Sequence, residues 1–305
     1  MPPAPRLAIA ATAFQRPIHL DRMLCSVARA RNHAHWPLYL SVEPSERTQE
    51  VLDVIETHRG TLDLHVRVNA QRKGVRQNPH DNIVWAFEQK ADLVLLLEDD
   101  LVIGRDALEY CELLNAGALG GDEVVCANLL MTTCNSESIH CPASEDEHER
   151  LREFVIRTRF FSSVGVLFSR QQWQRHFAPN WFRDGFCMEN WEGHPSVGWD
   201  VAMNGYLLAN RGLQVLQSLV PRVTHDGAGG THVTDDFQAR SFDNVQLPDT
   251  QDTPLRSLQV LDARNDLMRI PSPTVRLYVN LCRHLWTQQT TSIAHRLIHR
   301  GIPES

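Results

Sequence analysis

The alternation of apolar and helical segments in the first hundred residues places the strongest limit on how this chain can fold. Short apolar segments with strand character occupy residues 7–11, 36–43, 62–68 and 91–100. Between them, apolar residues recur at helical spacing in stretches that begin at Pro17, at Thr48 and ahead of Ile83. Such alternation predicts a doubly wound α/β fold with a mostly parallel, Rossmann-like sheet flanked by helices.

The carboxyl ends of these strands define the predicted binding crevice, because ligands of doubly wound sheets lie outside those ends. The segments expected there are 12–17, 42–47, 72–78 and 98–100. Within the first of them, Thr12, Phe14 and Arg16 are candidate contacts to a ligand. No GxGxxG motif follows the first strand, and no P-loop motif occurs, so neither a dinucleotide fingerprint nor a P-loop holds the ligand.

Three carboxylates stand at the end of the fourth predicted strand. The apolar run 93–97 suits a strand covered on both faces, and Glu98, Asp99 and Asp100 follow it directly. Crowded like charges raise pKa values and cost stability unless a cation compensates them. All-oxygen ligands favour a hard ion such as Mn²⁺ or Mg²⁺. The alternative is a solvated turn whose acids cap a helix over 105–114.

Composition excludes some classes of function. The chain has 305 residues, 42% of them hydrophobic, which is enough for one large α/β domain or two modest ones. The net charge of −7 disfavours a protein whose main task is to neutralise nucleic-acid phosphates. The N-terminus fits neither a secretory signal nor a membrane anchor, and no window is apolar enough to span a bilayer, so we expect a cytoplasmic protein.

The seven cysteines form neither a CxxC pair nor a Cys/His zinc spacing, and their number is odd. Most are expected to be core thiols in a reducing compartment. Cys134 and Cys141, which flank a predicted loop, are the one pair for which a local disulfide is an alternative.

The second half of the chain is less regular. Residues 124–130 predict another strand, 141–153 an exposed loop or helix start, and 157–177 an extended apolar segment followed by a helix. We predict a domain over 1–245, with a nucleotide-binding half (1–130) and an acceptor-binding half (131–245). Residues 246–305 are predicted to be a proline-containing linker and a basic helical C-terminal tail.

Five stretches resemble, in the same order, a family of nucleotide-sugar glycosyltransferases with the GT-A fold. LLLEDDLVIGRDALEY is similar to the equivalent stretch of the N-acetylglucosaminyltransferase I family. The other four are AIAATAFQRPIHLDRML, RTRFFSSVGVLFSRQQW, the WD pair at 199–200 and PRVTHDGAGGTHV. The resemblance covers roughly residues 6 to 237 and implies a GT-A sheet, to which the predicted tail adds a C-terminal helical extension.

This resemblance assigns roles around the diphosphate of a donor. Asp100, the last acid of the triplet, would be the direct protein ligand of the metal, with Glu98 and Asp99 near the ribose and sugar. Arg16 would contact the nucleotide diphosphate. Glu43, where the family has an aspartate, would approach the base or ribose.

The resemblance also implies a general base on the acceptor side. Asp200 of the WD pair takes this role, and Asp184 and Glu189 are the alternatives, because this chain carries extra residues in that region. An inverting transfer needs such a carboxylate to take the proton of the attacking hydroxyl.

Two further groups are candidate ligands of the metal or the donor. His225 and His232 flank a glycine-rich turn, and His225 is the preferred candidate for the diphosphate or the metal; a tight surface turn is the alternative. Arg72, Lys73 and Arg76 are candidate phosphate or base contacts, with a solvated basic loop as the alternative.

Aromatic and basic residues suggest two further surfaces. Trp181, Phe182, Phe186, Trp191 and Trp199 could stack on an acceptor sugar or pack in the core. The basic, partly apolar tail 275–300 could lie on an anionic membrane or pack against the domain or a partner subunit.

The combined prediction is a metal-dependent, inverting glycosyltransferase with Mn²⁺ or Mg²⁺ as cofactor. The first donor to consider is UDP-GlcNAc, and the acceptor is a saccharide or lipid-linked glycan, as in polysaccharide biosynthesis. The alternatives are a sugar-1-phosphate nucleotidyltransferase, which would carry a glycine-rich loop after the first strand, a non-catalytic sugar-nucleotide or glycan-binding domain, and a glycosidase.

Overall fold

The computed structural model describes residues 4–131, 145–182 and 198–227, together with shorter stretches between 238 and 284. The first half consists of β1 (Leu7–Ala13), α1 (Pro17–Arg29), β2 (Leu38–Val42), α2 (Thr48–His58), β3 (Leu64–Val68), α3 (Gly74–Glu88), β4 (Leu93–Glu98), β5 (Leu101–Ile103), α4 (Ala107–Gly117) and β6 (Val124–Asn128). The second half adds α5 (Glu145–Leu151), β7 (Phe154–Thr158), β8 (Val166–Ser169), α6 (Arg170–Gln172), α7 (Trp199–Ala209), β9 (Gln214–Ser218), β10 (Val223–His225) and β11 (Gln259–Asp262). A π-helical turn, Trp173–Phe177, continues α6, and His33–His35 and Leu267–Arg269 form short 3-10 helices.

The main sheet runs in the order β11, β7, β9, β6, β8, β4, β1, β2, β3. Strands β1 to β4 are mutually parallel where they pair, as the alternation predicts. Strand β8 lies antiparallel between β4 and β6 and so joins the two halves of the chain in one sheet. The predicted α/β class with a mostly parallel sheet is confirmed.

Strand β4 is covered on both faces. Leu93, Leu95 and Leu97 pack in one apolar cluster, and Val94 and Leu96 pack in the cluster on the other side. Because successive side chains of a strand point to opposite faces, a continuous apolar run is what two helical layers require. The polar triplet therefore begins where this double cover ends.

A second, two-stranded sheet places the glycine-rich segment beside the triplet. Strand β10 pairs antiparallel with β5, and His225 lies opposite Leu101, the residue that follows Asp100. The backbone N–H of Asp226 donates to the carbonyl of Asp100 at 2.7 Å. Residues more than a hundred positions apart are thus fixed next to each other by backbone hydrogen bonds.

Helix α3 begins earlier than the sequence pattern predicts. Residues 74–78, which the sequence predicts as part of the loop 70–79, form its first turn and a half. Proline removes one intrahelical hydrogen bond, but contacts to other elements hold the helix: the Asn82 side chain donates to the carbonyls of Ala11 and Tyr39. The predicted basic loop is therefore mostly the start of a helix.

The segment after residue 245 is not only a linker. Strand β11 lies at the edge of the main sheet, parallel to β7, although prolines on both sides of it predicted an unstructured connection. Residues 275–277, 279–280 and 283–284 are helical. Val275 and Val279 are buried in an apolar cluster with Ile156 and Leu261. The domain boundary at 245 stays a prediction, but this part of the tail packs against the domain.

Three cysteines that the structure describes are free: Cys111 and Cys126 are buried and Cys25 is half-buried. Cys134 and Cys141 lie outside the described residues. Of the helices that the structure describes, none has the length and apolar character needed to cross a membrane.

Candidate active site

The carboxylates after β4 are buried and share one arginine. Asp99 is 4% exposed and Asp100 is 5% exposed, whereas Glu98, the last residue of the strand, is half-buried. Arg16 Nη2 donates to Asp99 Oδ1 at 2.5 Å and to Asp100 Oδ2 at 2.6 Å. The backbone N–H of Phe14 donates to Asp99 Oδ2 at 3.2 Å. One guanidinium therefore compensates both aspartates.

Strand register and a helix start position this arginine. Strand β1 pairs with β4 so that Thr12 lies opposite Glu98, which sets the next residues of the chain beside the triplet. Arg16 is the N-cap residue of α1, and Pro17 occupies the first helical position, where its missing N–H costs nothing. The turn 14–16 is thus held at the carboxyl ends of the strands.

His225 faces the same cluster from β10. Its Nε2 lies 3.3 Å from Asp100 Oδ2. Its Nδ1 lies 2.9 Å from Gln238 Oε1, an acceptor, so Nδ1 carries a proton and donates. The Gln238 amide donates back to the carbonyl of His225 at 2.7 Å. A histidine whose far nitrogen donates to an oxygen is the usual arrangement of a metal-ligating imidazole.

Gly227 allows the chain to pass close to this imidazole. A Cβ atom at residue 227 would lie 2.0 Å from His225 Cε1, far inside van der Waals contact. Any larger residue there would displace the ring. The one glycine of this turn that the structure describes is therefore required by the position of His225.

The surroundings of the three carboxyl groups shift their pKa values in different directions. Burial, together with the charges of Asp100 and Asp99, raises the pKa of Glu98 to about 8. Burial likewise raises the pKa of Asp99 to about 6, although Arg16 opposes it. Burial also acts against ionised Asp100, but His225 and Arg16 outweigh it and hold the pKa of Asp100 below its usual range. Asp100 is thus the most acidic of the three carboxyl groups, and Glu98 is the one that holds its proton most tightly.

The pKa of His225 shifts in the direction opposite to that of Asp100. Burial alone would lower the pKa of its imidazole, but the hydrogen bond and charge of Asp100 raise it above the ordinary value. A cation at this position, whether a protonated imidazole or a metal ion, is therefore favoured by the same carboxylate.

Two buried polar atoms point to ligands that the cluster can take. Within the part of the chain that the structure describes, Asp100 Oδ1 accepts no hydrogen bond and Arg16 Nη1 donates none. Buried polar groups are nearly always paired, so an unpaired acceptor beside an unpaired donor suits a cation next to an anion. Carboxylate oxygens with one imidazole form a donor set for Mn²⁺ or Mg²⁺.

Asp200 lies in the first turn of α7. Its negative charge is one of those that raise the pKa of Glu98, so the structure brings it to the same end of the sheet. Asn204 donates to the carbonyl of Asp200 at 3.1 Å and also bonds both backbone groups of Phe161. The alternative bases, Asp184 and Glu189, and the second histidine, His232, lie outside the described residues.

Aromatic residues hold α7 in place. The rings of Trp181 and Trp199 stack with centroids 4.2 Å apart, and both residues are buried. They pack in the core, which was one of the two alternatives for the aromatic segment. Phe182 is 41% exposed, so it does not share this buried packing. Phe186 and Trp191 lie outside the described residues.

Glu43 is close to the crevice, but its carboxylate is used by the protein. Its Oε2 accepts hydrogen bonds from the backbone N–H groups of Lys73 at 2.6 Å and Gly74 at 3.3 Å, and its Oε1 accepts one from Asn69 at 3.1 Å. Glu43 therefore caps the N-terminus of α3. A ribose contact by Glu43 stays a prediction.

The three basic residues of the predicted loop lie in different surroundings. The guanidinium of Arg72 is 4.5 Å above the ring of Phe14, beside the carboxylate cluster. Lys73 Nζ instead pairs with Asp81 at 2.6 Å, and Arg76 Nε donates to the carbonyl of Trp181 at 2.9 Å. Of the three, Arg72 is best placed to meet a ligand.

Sequence patterns did not indicate several residues of this site. His19 lies one turn into α1, where burial and the charge of Arg16 lower its pKa. Its spacing of three from Arg16 on a predicted helix could have indicated it. Arg22 pairs with Asp226, and Gln238 holds His225, but no sequence signal connects residues so far apart.

Comparison with known families decides the assignment. The family described as "Glycosyltransferase like family 2" matches residues 4–236, most of the chain. This chain belongs to that family. It is a glycosyltransferase, and its GT-A fold is the one that the resemblance of the five stretches implied. The narrower resemblance to the N-acetylglucosaminyltransferase I family is not confirmed. No curated protein matches the chain in sequence.

Solved structures give weaker similarities to this family 2 member. "Mannosyltransferase PcManGT from Pyrobaculum calidifontis in complex with GDP-Man and Mn2+" is 12% identical, with a TM-score of 0.49, over 98% of this chain and 76% of that one. "S. aureus TarS 1-349" is 13% identical, with a TM-score of 0.47, over 73% and 60%. The same TarS fragment in complex with UDP-GlcNAc is 12% identical, with a TM-score of 0.46, over 77% and 64%. The family assignment rests on the sequence match.

Proposed function

We propose that this glycosyltransferase moves a sugar from a nucleotide donor to an acceptor hydroxyl, with inversion and with Mn²⁺ or Mg²⁺ as cofactor. The observation that carries the proposal is the buried cluster of Asp99, Asp100, Arg16 and His225, with Asp100 Oδ1 and Arg16 Nη1 left unpaired among the described residues. These two free atoms suit a metal ion and the diphosphate that it accompanies.

Asp100 and His225 would hold the metal. Asp100 stays ionised at neutral pH because His225 and Arg16 hold its pKa low, and the imidazole is fixed by Gln238. When bound, the metal stabilises the negative charge that develops on a leaving diphosphate. Arg16 would donate its unpaired N–H to a phosphate oxygen, which is a charge-assisted hydrogen bond.

The donor nucleoside and sugar would lie between β1, β2 and β4. Thr12, Phe14 and Arg72 lie at this edge, with Glu98 and Asp99 beside the expected sugar. UDP-GlcNAc is the first donor to consider, from the resemblance of the acidic segment to the N-acetylglucosaminyltransferase I family. Glu43 and Lys73 would contribute through the backbone turn at the start of α3. Arg76 stays a predicted phosphate or base contact, although its Nε donates to the carbonyl of Trp181.

Asp200 would be the general base. In an inverting transfer the acceptor oxygen attacks the anomeric carbon, the bond from that carbon to the diphosphate breaks, and a carboxylate takes the hydroxyl proton. Asp200 lies on a helix that is held by the Trp181–Trp199 stack and by the hydrogen bonds of Asn204 to the backbone of Phe161. A fixed position matters because general bases act within hydrogen-bond reach of the proton.

A thermal-shift screen tests the donor site. Wild-type protein is heated with UDP-, GDP- and dTDP-sugars, each with and without Mn²⁺. Because a ligand that binds only the folded state raises the melting temperature, we expect a shift for one nucleotide class that requires the metal. The proposal fails if no nucleotide shifts the melting temperature in the presence of Mn²⁺.

The Asp200→Asn variant distinguishes a catalytic transferase from a non-catalytic sugar-nucleotide-binding domain. We expect it to keep the metal-dependent shift while it loses turnover of the donor, because the amide cannot accept the proton. A non-catalytic binding domain would show no donor turnover even in the wild type. Turnover that survives in Asp200→Asn would show that another residue, Asp184 or Glu189, is the base.

The acceptor and the place of action are proposed on sequence grounds. A saccharide or lipid-linked glycan acceptor would meet the exposed ring of Phe182. The cytoplasmic location and a peripheral contact of the basic tail with a membrane stay predictions. The burial of Val275 and Val279 favours the alternative that the first turns of the tail pack on the domain.

A further inference from the structure

Helices α1 and α2 bring together three metal-binding side chains away from the carboxylate cluster. Asp21 and Cys25 are one helical turn apart on α1, so they lie on the same face of that helix. His58 is the last residue of α2 and packs against this face. One ligand atom from each of the three residues lies within 4.8 Å of the other two.

The geometry points to a second metal site, formed by Asp21, Cys25 and His58, which we infer takes Zn²⁺ or a divalent ion of similar softness. A thiolate, an imidazole and a carboxylate are zinc ligands, and hard ions such as Mn²⁺ and Mg²⁺ disfavour sulfur. The site therefore differs in chemistry from the oxygen-rich cluster of Asp99 and Asp100, and it does not depend on the proposed function.

The exposures of the three side chains suit an ion that enters from solvent. The Asp21 side chain is 50% exposed, the Cys25 side chain is half-buried, and the His58 side chain is 11% exposed. Three protein ligands with one side open leave a fourth position for water, as in zinc sites that are not fully enclosed. The Cys25 thiol would release its proton to solvent when the ion binds.

The hydrogen bond between His58 and Asp21 is the feature that binding would change. His58 Nε2 lies 2.8 Å from Asp21 Oδ1, closer than two ligands of one tetrahedral ion. An ion would therefore replace this hydrogen bond and move the two atoms slightly apart. The alternative is that the three residues bind no metal and form only a His–Asp hydrogen bond next to a thiol.

The expected consequence is a link between two helices that already share a core. Leu20 and Leu24 of α1 pack in the same apolar cluster as Val51 and Ile55 of α2. An ion bound to both helices would hold α1, which carries Arg16 at its start, against α2. We therefore expect Zn²⁺ to raise the melting temperature even when no nucleotide is present.

Cobalt is the probe that reports sulfur ligation directly. Metal-free protein is titrated with Co²⁺ and its absorption spectrum is recorded. We expect a thiolate-to-cobalt charge-transfer band with the visible bands of four-coordinate cobalt, which Zn²⁺ then removes by displacement. Absence of the charge-transfer band in folded wild-type protein overturns the inference.

Four variants test which residues bind the Co²⁺ that gives the charge-transfer band. Cys25→Ser should abolish the charge-transfer band, and His58→Gln should weaken Co²⁺ binding about 10-fold or more, since even outer-shell changes cost that much. Asp100→Asn should leave the band unchanged, which separates this site from the proposed donor site. His65→Gln is the matched control, because His65 also pairs with an aspartate, Asp63, at 3.3 Å. A band that survives in Cys25→Ser refutes the assignment.

Discussion

Glu98 is the residue whose protonation couples the candidate site most strongly to pH. Its pKa is raised from 4.5 to about 8, first by burial and then by the charge of Asp100. The folded protein thus holds this proton more tightly than the unfolded chain. The resulting stability is fully present below about pH 4.5 and is lost as the pH rises to about 8.

Glu98→Gln should remove this loss. We expect the free energy of unfolding of the variant, relative to wild type, to rise by up to about 4 kcal/mol between about pH 5 and about pH 8.5 without metal. Urea unfolding at both pH values measures it. Mn²⁺ should reduce the difference, because a nearby cation favours the ionised carboxyl. A difference that is the same at both pH values would contradict the assigned pKa.

Arg16 joins the two aspartates to the expected diphosphate. Arg16→Gln should weaken nucleotide diphosphate binding about 10- to 100-fold, because hydrogen bonds to charged groups are worth about 1.5–3 kcal/mol. Isothermal titration with Mn²⁺ present measures the affinity. Arg59→Gln, which removes an exposed pair with Glu56, is the control. Equal affinities in the two variants would remove Arg16 from the site.

For single residues, the sequence predicts which side chains are candidates for the site better than it predicts the contacts that those side chains make. The triplet and His225 were candidates because they follow an apolar strand or flank glycines, and Arg16 because of the family resemblance; the structure brings them together, and their roles stay predictions. The role of Glu43 as a helix cap was not predicted, because it depends on where α3 begins. Gln238 was missed because only the folded chain brings it against His225.

At the scale of elements, the cap on α3 can be tested by itself. Glu43→Ala leaves the N–H groups of Lys73 and Gly74 without their acceptor. We expect a loss of about 1–2 kcal/mol in the free energy of unfolding, the usual cost of a lost N-cap. Glu46→Ala, an exposed neighbour, should change it by less than about 0.5 kcal/mol. Equal small effects would show that the cap contributes nothing.

The first four strands and β6 were predictable from the sequence, whereas the places of β8 and β11 in the sheet were not, for a physical reason. Strands β1 to β4 alternate with helices, so their order and direction follow from connection rules. Strand β8 enters antiparallel between β4 and β6, and β11 joins β7 from a segment with prolines on both sides. Their short apolar runs find partners only through contacts distant in sequence, which local patterns do not record.

For the molecule as a whole, the first residues of the basic C-terminal tail are packed as part of the folded domain. Val279→Asp places a charge in the cluster with Ile156 and Leu261, which should lower the free energy of unfolding by about 3 kcal/mol or more. Leu277→Asp, at a position that is 68% exposed in the same helical stretch, is the matched control and should have little effect. Denaturant unfolding compares the two. Similar small effects would mean that the tail is not packed as described.

We propose that Asp100 holds a metal ion through which this glycosyltransferase binds its nucleotide donor. Isothermal titration of UDP, and then GDP, into wild-type and Asp100→Asn protein, each with and without Mn²⁺, tests it most directly. We predict that wild-type protein binds one of the two nucleotides at least about 10-fold more tightly with Mn²⁺ than without it, because the metal adds a charge-assisted contact to the diphosphate. The Asp100→Asn variant should lose this metal-dependent gain in affinity. An equal gain from Mn²⁺ in both proteins would contradict the claim.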